Sequence, residues 1–171
     1  MNMKKFVLNS LLLAIGALLH QITPPLVLGM KPDFSLVMLF IVISLNEDFK
    51  SCITSGLVIG IFSALTTGFP AGQLPNIFDK IITTTIIYFS IRALSKHIKD
   101  QVLMIIIISL GTLISGVVFL SSAALLAGLP GNFSVLLISI VIPAVLINTV
   151  VGMVLYNAVK ISIKRSNFKI S

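Results

Sequence analysis

The chain has 171 residues, 57% of them hydrophobic and only 10% charged, with a mean hydropathy of +1.13. That is more apolar surface than one soluble core can bury, so a soluble domain is excluded and an integral membrane protein is expected. The formal charge of +7 does not indicate nucleic acid, because its lysines and arginines lie between apolar runs, and a single cysteine with two separated histidines excludes an internal disulfide and argues against a metal cage.

Taken in order, apolar runs of transmembrane quality fall at residues 5–22, 51–67, 77–94, 102–127 and 133–159, with a shorter one at 33–46. The first run continues through His20, Gln21 and Ile22 into Pro24 and Pro25 without a small-residue cleavage site, so it is expected to remain as a helix. Lys4 and Lys5 precede it, and Lys160, Lys164, Arg165 and Lys169 follow the last run. The positive-inside rule then puts both termini in the cytoplasm and requires an even number of crossings. Counting the short run gives six, and ten of the twelve Lys and Arg residues fall inside, with only Lys31 and Lys80 outside. The expectation is therefore an all-α, integral membrane six-helix bundle forming one domain. Neither an internal repeat nor a linker is visible, which speaks against an architecture of two inverted halves.

The external side would be built from residues 24–33, 68–76 and 128–132, all rich in Pro and Gly. The middle stretch, GFPAGQLPNIFDK, interrupts two apolar runs with prolines, amides and an adjacent acid and base. Charged groups at a membrane edge are costly and need a partner or a task. Lys31, Asp33, Asp79 and Lys80 gather at this end with His20, a set suited to a small zwitterion: lysine for a carboxylate, aspartate for an ammonium. Successive helical residues point about 100° apart, so Asp79 and Lys80 are not both expected to face one pocket squarely; one of them is expected to meet the ligand, the alternative being that both merely anchor the helix at the lipid headgroups. Gln73 and Asn76 add amide groups, and Phe69, with Phe34, Phe78 and Phe133 at similar depth, adds aromatic surface. Each phenylalanine read alone is first a lipid-facing or core-packing residue. Asn148, deeper in the last run beyond Pro143, is assigned a structural hydrogen bond unless the cavity is deep, and Cys52 and His97 are given no chemical role.

In the first run Ser10 and Ala14 are four apart, with Gly16 and Ala17 close behind; small residues at this spacing let another helix approach. A separate subunit and the rest of the bundle are both possible occupants. Phosphate-binding loops, zinc-protease and serine-hydrolase motifs are missing, and no buried acid in mid-helix is expected to serve as a proton relay. No enzymatic activity is expected, and any transport would draw its energy from a partner.

The stretches KKFVLNSLLLAIGALLHQITPP, GMKPDFSLVMLF and SALTTGFPAGQLPNIFDKIITT resemble the bacterial tryptophan transport protein family, which is related to the substrate-binding S components of energy-coupling factor (ECF) transporters. The likeness runs from residue 4 to about residue 95. It implies a six-helix subunit in the bacterial cell membrane that captures tryptophan outside. It also implies a coupling subunit and two ATPase subunits as partners, with substrate delivered by toppling in the membrane. The small residues of helix 1, here Ser10, Ala14 and Ala17, would face the coupling subunit, with Ser10 standing where that pattern commonly has alanine. Two other classes stay open: a stand-alone secondary amino-acid transporter, and a structural membrane subunit that binds no ligand.

Overall fold

A computed structural model describes residues 3–25 and 31–166. Gly29 and Met30 of the GMKPDF stretch and Lys169 of the terminal basic group lie outside the described residues. The described chain is all-helical: α1 Met3–Ile22, α2 Phe34–Leu45, α3 Phe49–Thr66, α4 Gln73–Leu94, α5 Asp100–Leu126 and α6 Phe133–Arg165. Side-chain oxygens start three of these helices by accepting orphan backbone N–H groups: Asp33 for α2, Asp48 for α3 and Asn132 for α6. The exposed Asp48 carboxyl is held below its usual range by the Ser51 hydroxyl and then by the Ser51 N–H.

Two boundaries differ from the sequence expectation. Helix α4 begins at Gln73, four residues before residue 77, because Pro75 occupies its first turn, where no backbone donor is needed. In α6 a π-turn at Leu137–Val141 precedes Pro143. The ring has no N–H to give the preceding turn, and the widened turn absorbs the mismatch.

Helix α2 is the axis of the bundle. It touches all five other helices, and every residue from Ser35 to Ile43 is buried. Such a helix is apolar all round because it faces protein on every side. With 12 residues it is about 18 Å long, short of the roughly 30 Å of a hydrocarbon core. Four helices, α1, α3, α5 and α6, are long and apolar enough to cross a membrane. Their outer faces carry exposed large side chains such as Phe6, Leu11, Leu65, Val117 and Leu146. Helix α4 has 22 residues but carries Asp79, Lys80 and Arg92, and it is packed between α3 and α5.

Helix α3 approaches α4 through glycine. A Cβ on Gly60 would lie 3.2 Å from Ile77 Cα and 3.3 Å from Lys80 Cβ, and one on Gly56 would lie 2.3 Å from Thr84 Oγ1. The connection into α4 is a tight turn in which Gly72 N–H donates to Phe69 O at 3.0 Å. Pro70 sits at its second position, and Ala71 takes the left-handed conformation (φ 52°) at its third. Buried Phe69, edge-on to Phe119 with ring centroids 5.2 Å apart, pins the turn to α5. At the opposite end of the bundle, Asn9 and Asn46 exchange hydrogen bonds of 3.1 and 2.9 Å, and Arg92 donates to the carbonyls of Ile43 and Asn46.

Candidate functional site

Five helices bring polar side chains to one buried layer. Lys80 of α4 is 2% exposed, and its Nζ lies 2.7 Å from Asp33 Oδ2 and 2.6 Å from Asp79 Oδ2. Asp79, 1% exposed, also accepts from Thr83 Oγ1 at 2.9 Å and from Ser115 Oγ of α5 at 2.8 Å. Asp33 accepts through Oδ1 from Ser35 Oγ at 2.5 Å and from Leu36 N–H at 3.0 Å. Ser35 in turn meets Ser63 of α3 at 3.4 Å. His20 of α1 places Nδ1 3.3 Å from Asp33 Oδ1 without hydrogen-bond alignment.

Burying two carboxylates and an ammonium costs several kcal/mol per ion, and mutual attraction with added hydrogen bonds offsets that cost only in good geometry. The extra donors on Asp79 and Asp33 are such bonds. With both acids ionised and Lys80 charged, the trio carries one negative charge in excess. Asp33 keeps 17% of its side chain accessible, whereas Asp79 is sealed. The open side of the excess charge is therefore Asp33. Lys31, half-buried nearby, makes no ion pair with a described residue.

These groups border a partly open cavity of about 90 Å³. One part of the lining is charged: His20, Lys31, Asp33, Asp79 and Lys80. The other part is Phe69, Phe119, Ile140, Val141 and Ala144, with Asn148 and Thr112 among them. Such a cavity can seat a molecule with a zwitterionic head and a bulky apolar body. Among the described residues no group of His, Cys, Asp and Glu has the makings of a metal site.

Of the residues singled out in the sequence, His20, Asp33, Phe69, Asn76, Asp79 and Lys80 meet at this cavity. Gln73 does not: as the first residue of α4 it is exposed and outside the lining. Asn76 is buried and spends its Nδ2 on the Gly72 carbonyl at 2.8 Å. Phe78 points outward, 47% exposed. Two expectations are corrected. Asp79 and Lys80 both line the cavity, because the lysine stem bends its Nζ back beside its neighbour's carboxylate. Asn148 makes the expected structural hydrogen bond, its Nδ2 donating to Thr112 Oγ1 at 3.3 Å, and it also lines the cavity, which is deep enough to reach it. A buried acid does occur within a helix, Asp79 in the second turn of α4. Of the small residues of α1, Ser10 and Ala14 are exposed and Ala17 half-buried, while Gly16 meets Met38 and Ser35 of α2.

Sequence reasoning passed over Thr112, Ser115, Gly116 and Phe119. A signal was present: these four stand at i, i+3, i+4 and i+7, three small or polar residues and an aromatic along one face of the most apolar of the four span-length helices.

The sequence pattern described as tryptophan transporter TrpP matches residues 2–164. The chain is 52% identical to a probable tryptophan transport protein of Clostridium acetobutylicum, over 96% of both chains. It is 47% identical to one of Clostridium perfringens, over 97% of this chain and 96% of that one. To one of Bacillus subtilis it is 43% identical, over 98% and 97%. No solved structure matches it significantly.

Proposed function

The chain belongs to the tryptophan transporter family, and from that premise we propose that it is a six-span membrane subunit that captures L-tryptophan from outside the cell in the cavity bordered by Asp33, Lys80 and Asp79. The observation that carries this is the pairing, in one cavity, of a charged cluster with an aromatic and aliphatic wall. The substrate ammonium pairs with Asp33, the accessible carboxylate, and Lys31 receives the substrate carboxylate. Asp79 holds Lys80 in place from its sealed side. The indole ring lies among Phe69, Phe119, Ile140 and Val141.

Both termini are cytoplasmic, and the outward Ser10, Ala14 and Ala17 face meets the coupling subunit of an energy-coupling factor transporter, whose two ATPases drive uptake into the cell. The exposure of Ser10 and Ala14 supports this reading. The protein contains no tryptophan, so binding is read directly from the fluorescence of the ligand's indole in the purified protein. Saturable, stereoselective binding of L-tryptophan over other amino acids is expected; its absence sinks the ligand assignment.

A stand-alone secondary transporter is favoured by one observation, the buried Asp79 with its hydroxyl partners Thr83 and Ser115, since such acids serve as proton sites in membranes. Tryptophan uptake into vesicles holding this protein alone, driven by a proton gradient, would establish that reading and remove the need for ATPases.

A further inference from the structure

Asn148 of α6 is fully buried, 0% exposed, and lines the cavity. Its Nδ2 donates to Thr112 Oγ1 at 3.3 Å, but its Oδ1 has no hydrogen-bond partner. A buried amide oxygen left unpaired is costly and calls for an explanation such as a missing ligand donor. The lining nearby in sequence is aliphatic: Ile140, Val141 and Ala144 on the same helix. No described protein group supplies the missing donor.

The position of this oxygen follows from α5. Ser115 bonds Asp79 in the charged cluster, and Thr112, three residues earlier on the same face, bonds Asn148. Three residues of helix rise about 4.5 Å. The unpaired acceptor therefore stands about one helical turn from the charged cluster, within reach of the side chain of an amino acid anchored there. The polar need there is a single N–H or O–H donor carried by an otherwise apolar body.

We propose that Asn148 Oδ1 accepts a hydrogen bond from the indole N–H of the bound substrate and is the residue that sets tryptophan apart from amino acids of similar bulk lacking that donor. This rests on the cavity being the tryptophan site. A site with a buried acceptor rejects a ligand without the matching donor because the acceptor stays desolvated and unpaired.

The experiment compares L-tryptophan with benzothienylalanine, in which sulfur replaces the indole N–H at nearly the same shape. Calorimetric titration of the full purified chain is expected to show tryptophan binding on the order of 10- to 100-fold tighter. The Asn148→Leu variant is expected to bind both ligands within about threefold of each other. Equal affinity of the two ligands for the unaltered protein overturns the proposal while leaving the tryptophan site intact, and it needs no variant that must fold. Retention of the full preference by a folded Asn148→Leu protein also overturns it. Failure of the unaltered protein to bind either ligand would instead remove the tryptophan site, and the proposal with it.

Discussion

Lys80, itself 2% exposed, lies between Asp33 and Asp79. Replacing it by methionine keeps the stem but leaves two carboxylates without their shared cation. Lys80→Met is expected to destabilise the protein by about 3–5 kcal/mol and to abolish tryptophan binding, checked by thermal unfolding in detergent and by ligand fluorescence. Asp33→Asn should separate the two effects. The more accessible acid is replaced, Lys80 keeps Asp79, and the expected loss is tenfold or more in affinity with a much smaller drop in unfolding midpoint. At this scale the sequence showed which charged groups share one end, because charge counting along the loops orients each helix. It did not show their contacts. The 100° rule describes where Cβ points, and four methylenes of lysine carry the charge well away from that direction. For Asn148 the structural bond was legible but its place in the lining was not, because no local pattern reports how far a cavity reaches.

Among the elements, the closeness of α3 to α4 decides where Lys80 sits. Gly60 leaves room for the Ile77 backbone and the Lys80 stem, so a larger residue must push the helices apart. Gly60→Val is expected to cost about 1–3 kcal/mol and to weaken tryptophan binding, whereas the same change at Gly131, where an added Cβ finds only Leu136 Cδ2 at 4.0 Å, should leave binding unaltered. Parallel titrations of the two variants check this. Helix existence was readable from the apolar runs, since their lengths and Pro/Gly breaks leave few alternatives. The start of α4 was not, because GQLPN reads equally as loop and as the uncapped first turn that Pro75 permits. The π-turn ahead of Pro143 left only the proline as its trace.

For the molecule as a whole, the outward face of α1 and the buried cluster lie on different surfaces and should fail independently. Under the proposed energy-coupling factor assembly, Ala14→Leu is expected to leave tryptophan affinity within about twofold while reducing co-purification with the proposed coupling and ATPase subunits. Loss of binding with intact co-purification would assign Ala14 to the substrate path instead. The number of helices was legible from composition, but the enclosure of α2 was not, because an all-apolar helix reads alike whether lipid or protein surrounds it. That enclosure bears on how the bilayer acts on the protein. Lipid tails press on α1, α3, α5 and α6, whose large apolar side chains are exposed, and find no purchase on Ser35–Ile43. The carboxylate that opens α2 is thus insulated from the stretching and thinning that hydrophobic mismatch imposes on an outer helix. Tryptophan affinity should therefore stay nearly constant across lipids of short and long acyl chain, even where the unfolding temperature moves with bilayer thickness. Membrane thickness would set how the protein sits, and α2 would keep the substrate's docking point indifferent to it.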